Sequence, residues 1–371
     1  LAFGMRTAPA VSELSVRLAE GTVDECRVRL DSQQVSVKSV LLNRGGYSYL
    51  TGPAVPGKEK QEAAPVPGGS TPSLPWTVRV GSVVLDDNRA EYGLLNHRPA
   101  AGFDPSFIAL STLDLAVDSI YNRGADIALQ IRRMAFTERS GLTVSDMTGD
   151  IGMDASGISL AGVTLKTPFS RIEANISAGE GILALAPDSP LKAALTADVN
   201  TKDLKYLYPA LIPPMLDGRI VSLALTAAGT LGDIGKAGLD ISSPGHVAFT
   251  ADGAARNVLD PDRMEASARF EGDFRDMAFL EALLPDSALR RRIAIPDRIR
   301  LRGTAGADKG AFSAASTLST DGGEIALQGQ LDTRSEAYEI ELRCDSFPLN
   351  RFLPADSLGL LDLALQAGGS G

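Results

Sequence analysis

Residues 108–131 read IALSTLDLAVDSIYNRGADIALQI, and their apolar side chains recur at every second position: Ile108 and Leu110, then Leu113, Leu115 and Val117, then Ile127, Leu129 and Ile131. A period of two puts alternate side chains on one face of a β-strand. Gly124 separates the last two runs and marks a turn.

The pattern extends in both directions. Upstream, Val78 and Val80 alternate, then Val83 and Leu85; downstream come Leu142 with Val144, Ile158 with Leu160, Val163 with Leu165, and Ile172 with Ile176. Turn residues fall between them: Ser140-Gly141, Gly149-Asp150, Ser156-Gly157 and Gly179. Nearer the start, Leu14, Val16 and Leu18, then Val28 and Leu30, then Val35 and Val37 read as short strands. Strands recurring at roughly 8–12 residues predict a meander, sandwich, barrel or solenoid rather than a βαβ fold.

Residues 52–75, GPAVPGKEKQEAAPVPGGSTPSLP, hold Pro, Gly and charge with almost nothing to bury, and read as a flexible loop. Beyond residue 200 a loose repeat emerges. Leu207-Tyr208-Pro209, Leu283-Leu284-Pro285 and Phe352-Leu353-Pro354 each sit in a helix-like apolar segment. Each is followed by a strand with similar letters, namely Leu223 to Gly229, Arg300 to Gly306 and Leu363 to Gly369. In the first segment Leu204, Leu207, Leu211 and Met215 keep helical spacing, while its prolines forbid a long straight helix. Such a segment reads as a plug on an apolar sheet face, or as a gate over it.

The fold expected is all-β with a few short helices, an elongated, curled antiparallel sheet forming a groove and built from repeats. Its divisions are a groove segment over 1–51, the loop 52–75, a second groove segment over 76–200, and repeats of short helix plus strands over 201–371.

Composition narrows the function. The 371 residues are 44% hydrophobic and only 5% aromatic, with 37 glycines, which suits many short strands and turns. Thirty-six basic against 46 acidic residues give a net charge of −10, which argues against nucleic acid. The densest basic run, Arg290, Arg291 and Arg292 with Arg298, Arg300 and Arg302 behind it, reads as a solvated strand edge or a helix C-terminus, the sharper possibility being a lipid-headgroup or partner contact. Cys26 and Cys344 are too far apart in sequence to suggest a staple. No run of about 18 apolar residues is present to span a bilayer. The chain opens on Leu1 and stops within a patterned segment, as a fragment would.

Chemistry is hard to find. His97 and His246 stand alone, without the clustered ligands of a metal site. No Gly-x-Ser-x-Gly elbow or phosphate-binding loop occurs. Gly179-Glu-Gly181 and Gly322-Gly323 read as hairpin turns, and the acid pairs Asp86-Asp87 and Asp260-Pro-Asp262 as surface turns rather than calcium ligands or acid/base groups. Asn175-Ile-Ser177 is a formal glycosylation sequon in a predicted strand. The expectation is a non-enzymatic protein without metal or cofactor.

Several stretches carry a resemblance: Trp76-Thr-Val-Arg-Val80, Gly102 through Leu110 (GFDPSFIAL), Phe136 through Leu142 (FTERSGL) and Leu165 through Ser170 (LKTPFS), with the blocks 195–229 and 340–369. Over most of its length outside 52–75 the chain resembles the TamB (translocation and assembly module subunit) family, within the wider AsmA-like group of repeating β-groove proteins and closest to the Bacteroidota type. The resemblance implies a mid-chain segment of a periplasmic protein. Such proteins are anchored in the inner membrane by an N-terminal helix and meet a TamA/BamA-like outer-membrane barrel through a C-terminal domain, both outside this fragment. It further implies a hydrophobic groove that conducts phospholipid between the membranes and supports outer-membrane biogenesis. Nothing catalytic is carried over.

The lining expected is Leu129, Ile131, Leu142, Val144, Leu160, Leu165, Ile172, Leu223 and Leu225. A competing expectation is an assembly scaffold or chaperone for outer-membrane proteins that binds by strand addition. An adhesive or carbohydrate-active β-protein would need aromatic platforms, and Trp76 is the single tryptophan.

Overall fold

The computed structural model describes residues 2–6, 12–52, 76–155, 157–179, 186–208, 217–275, 294–353 and 359–370. The loop at 53–75, the Leu283-Leu284-Pro285 segment, Leu211 and Met215, and Arg290 to Arg292 lie outside them. Contacts divide the chain into two compact units, one of Leu1–Arg171 with Asp203–Ala210, the other of Ile172–Lys202 with Leu211–Gly371.

In the first unit the strands are β1 (Ala2–Arg6), β2 (Ser12–Arg17), β3 (Glu20–Asp24), β4 (Arg27–Arg29), β5 (Gln34–Asn43), β6 (Gly46–Thr51), β7 (Thr77–Leu94), β8 (Phe107–Arg123), β9 (Asp126–Glu138), β10 (Thr143–Asp154) and β11 (Gly157–Lys166). β12 (Arg171–Gly179), β13 (Pro190–Asn200) and the helix α1 (Thr201–Leu207) follow. The second unit continues with β14 (Ile220–Thr230), β15 (Ile234–Ser243), β16 (Val247–Arg256), β17 (Glu265–Arg275), β18 (Arg298–Asp308), β19 (Ala311–Thr320), β20 (Gly323–Asp332), β21 (Ala337–Pro348), the single-turn helix α2 (Leu349–Phe352) and β22 (Leu360–Gly369). The molecule is all-β with short helices, as its alternation predicts.

The first unit is built on β7. Strands β2, β3 and β4 form one interrupted arm of a hairpin whose other arm is β5 and β6. That second arm lies parallel to β7, with Gln34 beside Thr77 at one end and Thr51 beside Leu94 at the other. From β7 to β11 every neighbour is antiparallel. Among the described residues of the first unit, the sheet is therefore mixed along β7 alone. Parallel neighbours demand a crossover of a dozen residues or more, and Thr51 and Thr77 accordingly stand at opposite ends of β7, about 56 Å apart at ~3.3 Å per residue.

Asn88 holds the junction of β5, β6 and β7. It is fully buried. Its Oδ1 accepts from the Gly45 amide at 2.7 Å, and its Nδ2 donates to the Leu42 and Asp86 carbonyls, each at 2.9 Å. These bonds give partners to the Gly45 amide and the Leu42 carbonyl where β5 ends and β6 begins. Gly45 has no alternative there, because a Cβ would sit 2.6 Å from Asn88 Oδ1.

Long strands bend at bulges. Register shifts at Leu85/Asn88, Ser111/Asp114, Asp118/Tyr121 and Thr148/Asp150 coincide with left-handed backbone at Asp87, Thr112, Ser119 and Gly149. Two sequence expectations are corrected here. Asp86-Asp87 and Gly149-Asp150 are not surface turns; they lie inside β7 and β10, because a positive φ serves a bulge as well as a hairpin.

The second unit is a simple meander. Each strand from β13 to β22 pairs antiparallel with the next. Among the described residues β13 and β22 do not pair with each other, so the sheet stays open rather than closing into a barrel. At ~4.8 Å per strand it runs about 43 Å along the hydrogen-bonding direction. Strands β13, β17 and β21, each followed by a connection longer than a hairpin turn, end on the same rim at intervals of four strands. The repeat is thus four strands and one such connection. Its middle copy is shifted from the sequence alignment by one residue, since registration from strand to strand matches Leu301, not Arg300, to Leu223 and Leu363. A slip of one residue moves a side chain to the other face.

Cores are thin. The buried hydrophobic residues are Leu113, Val117, Ile131 and Val144 in the first unit, and Ala197, Cys344 and Phe347 in the second. Neither Cys26 nor Cys344 is in a disulfide.

Two predictions follow from the bonds that hold these sheets. Replacing Asn88 with Leu leaves the buried Gly45 amide without an acceptor and should destabilise the first unit by about 1–3 kcal/mol, measured by urea denaturation; an unchanged midpoint would refute the role. Acid sensitivity follows from two carboxylates. Asp104 lies 2.7 Å from His97 Nε2 and accepts from the Ala100 and Ser106 amides, which hold its carboxyl at about 2. Arg298, with Arg275 adding to it, holds Asp273 at about 2 against its desolvation. Both groups stabilise the fold as carboxylates, fully so above the ordinary range near pH 4 and progressively less as pH falls toward about 2. The melting temperature should therefore be insensitive to these two groups at neutral pH and drop between about pH 4 and 2, less steeply in an Arg298→Gln variant.

Candidate functional site

The meander's strands alternate, and their registration adds those alternations into two faces. Leu195, Leu225, Leu239, Ala251, Phe270, Gly303, Ser316, Leu327, Leu342 and Leu365 are successive partners, one on each strand from β13 to β22. Beside them runs Ala197, Leu223, Ile241, Phe249, Gly272, Leu301, Leu318 and Ile325. The row on the other side is small, from Ala193, Ala227 and Ala237 through Gly253, Ala268 and Ala305 to Ala314 and Gly329.

Alternation sends every charged side chain of β13–β22 to the opposite face, where Asp240, Arg269, Glu271, Asp273, Arg300, Arg302 and Glu341 project. No position on the apolar face carries a charge. Several of its residues are exposed: Leu225 at 40%, Leu327 at 43%, Ile340 at 43% and Leu365 at 48%. Soluble surfaces rarely present apolar positions in such a continuous array without a use for them.

Size is matched across strands. Phe270 lies opposite Gly303, and a Cβ on Gly303 would meet the Phe270 ring at 2.7 Å. Phe249 is opposite Gly272, where an added Cβ would meet the Phe274 ring at 2.5 Å and the Phe249 ring at 3.3 Å, and the Phe249 and Phe270 rings stack at 6.4 Å. Each phenylalanine fills the space that its glycine leaves, which levels the face.

The first unit has a comparable array. Leu42, Leu85, Leu115, Met134, Met147 and Leu165 are successive partners across six strands, and Val40, Val83, Val117 and Ile131 form the adjoining row. Leu129 pairs with Ile151, which pairs with Leu160.

Of the lining residues expected from sequence, Leu129, Ile131, Val144, Leu160 and Leu165 stand on one face of the first unit's sheet, some of them brought there by bulges. Leu142 precedes β10, where its carbonyl accepts from the Glu138 amide at 2.8 Å. Ile172 lies half-buried in β12. Leu223 and Leu225 belong to the second unit's apolar face. Sequence reasoning missed most of that face, including Leu239, Ile241, Phe249, Phe270, Leu301 and Leu327. The available signal was the same alternation, diluted by alanine and glycine at the intervening face positions.

The helix α1 is anchored within the first unit through Asp203. That carboxylate is buried and accepts from Thr167 Oγ1 and Ser170 Oγ. Leu204 and Leu207 are half-buried. His97 is engaged by Asp104 in the connection between β7 and β8. Among the described residues, no group of three or more His, Cys, Asp or Glu side chains is arranged to hold a metal ion, and no helix is long and apolar enough to cross a membrane.

No family model, curated protein or solved structure matches this chain.

Proposed function

We propose that the chain is a segment of a TamB- or AsmA-like protein of the bacterial envelope, and that its apolar sheet faces carry phospholipid acyl chains between inner and outer membranes. The observation behind this reading is the second unit's apolar face, registered over ten strands, free of charge and exposed at several leucines. In this reading the inner-membrane anchor and the contact with an outer-membrane barrel lie in other parts of the protein.

The energetics suit passage. Full removal of a methylene from water is worth about 0.8 kcal/mol, and a chain lying on an open face is desolvated on one side only. Many such contacts retain a lipid without a deep minimum at any one position. Dispersion and desolvation have no preferred direction, so successive strands offer nearly equivalent sites along the sheet. A tight, directional site would hold its ligand in place.

The test is site-specific photo-crosslinking in cells that make the full-length protein. Crosslinkers at Leu239, Ile241, Leu301 and Leu327 should capture phospholipid, and those at the outward positions Asp198, Asp240 and Glu324, away from the arginines of β18, should not. Equal capture on both faces, or capture on the outward face alone, would sink the reading. Leu239→Glu adds a second check. On an open face it should abolish capture while circular dichroism and melting stay near wild type. Unfolding of the variant would instead mean that protein covers this face, as the assembly-scaffold alternative requires.

A further inference from the structure

The opposite face of the same sheet holds an unspent pair of cations. On β17 and β18 the side chains of Arg269, Glu271, Asp273, Arg298, Arg300 and Arg302 share the polar face. Asp273 is satisfied by two arginines: Arg298 Nε donates to its Oδ1 at 2.7 Å, and Arg275 Nη2 to its Oδ2 at 3.2 Å. Arg300 stands across from Asp273, and Arg302 across from Glu271. Yet neither arginine makes a hydrogen bond or ion pair among the described residues. On their other side β19 offers only uncharged neighbours, Thr317 beside Arg302 and Ser319 beside Arg300.

We propose that Arg300 and Arg302 form a binding patch for a phosphoryl group. Two residues apart on one strand, their Cα atoms are about 6.7 Å apart, so two flexible guanidiniums can converge on the oxygens of one phosphate. Shallow depressions of about 400 and 360 Å³ flank Arg302; Thr304, Thr317 and Gln328 line the first, and Thr250 and Arg300 the second. Hydroxyl and amide donors thus surround the cations. Glu271 lines both depressions and opposes an anion, which sets the affinity below what the arginines alone would give. In a chain of net charge −10, a general attraction for anions is not available, so binding has to be local. The patch lies on the face away from the acyl-chain surface and requires nothing of that reading.

The phosphoryl group could belong to a lipid headgroup or to a free phosphate compound, and two probes separate these sources. The intact chain is titrated with inorganic pyrophosphate by calorimetry, and floated with phosphatidylcholine vesicles with and without phosphatidylglycerol. Binding of at least one anionic probe is expected, weakened tenfold or more in the Arg300→Gln/Arg302→Gln double variant. It should be unchanged in Arg343→Gln, whose arginine already pairs with Glu341. Glu271→Gln should tighten binding about threefold. Binding of anionic vesicles alone supports a headgroup, pyrophosphate alone a free phosphate, and both the same pair serving either. The proposal is overturned if neither probe binds, if binding survives the double variant, or if Arg343→Gln weakens it equally. Should the double variant misfold by circular dichroism, Glu271→Gln decides: tighter binding supports the patch, and unchanged binding refutes it.

Discussion

Strand registration is the constraint on which the rest of this structure depends. A strand with period-two alternation has two unlike faces, but one strand makes only a line of apolar side chains. In the second unit ten strands are paired so that the apolar rows fall on one face and every charged side chain of the strands on the other. A shift of one residue at any pairing would bring a charge such as Asp240 or Arg300 into the apolar rows. The cost of placing a carboxylate or guanidinium there, without a partner, makes the correct register far more stable than its neighbours. Hydrogen bonding between backbones would accept either register. Side-chain polarity is what selects one.

The longer strands of the first unit meet the same demand by a different route. A strand of 18 residues twists, and an unbroken alternation would carry its apolar residues away from those of its partner. Bulges at Asp87, Thr112 and Ser119 each insert a residue and restore the match. Asn88 solves the related problem of a strand whose neighbour is interrupted. Both devices use a polar or small side chain at a position where backbone groups would otherwise lack partners, and they explain why Asp and Asn occur inside a strand where propensity disfavours them.

Much of this could be read from residue order. The parity change from Ile108 and Leu110 to Leu113, Leu115 and Val117, and again to Ile120, marks the bulges at Thr112 and Ser119. Parallel pairing of β5 and β6 with β7 was not legible, since Val35 and Val37 alternate alike in parallel and antiparallel neighbours. Nor was the junction role of Asn88, which depends on contacts to Gly45, Leu42 and Asp86 from two strands. The repeat is visible in outline in the sequence, but its middle copy falls on Arg300 there because the closing glycines Gly229, Gly306 and Gly369 draw the alignment one residue out. For the candidate site, the first unit's face was largely legible from its leucines and isoleucines. The second unit's was not, because alanine and glycine occupy many of its positions and carry little hydrophobic signal individually.

Those small residues have a physical consequence for any occupant. Where a phenylalanine projects, a glycine faces it, and where leucine rows end, a row of alanines begins. At those positions the face is level, without the alternation of protruding anchor and pocket through which protein partners gain most of their binding energy. A flexible hydrocarbon chain needs neither, because it conforms to a level surface and gains in proportion to the area it covers. Charges confined to the far side keep that surface from offering a stopping point. Levelness, continuity and absence of charge together favour a ligand that slides over one that docks.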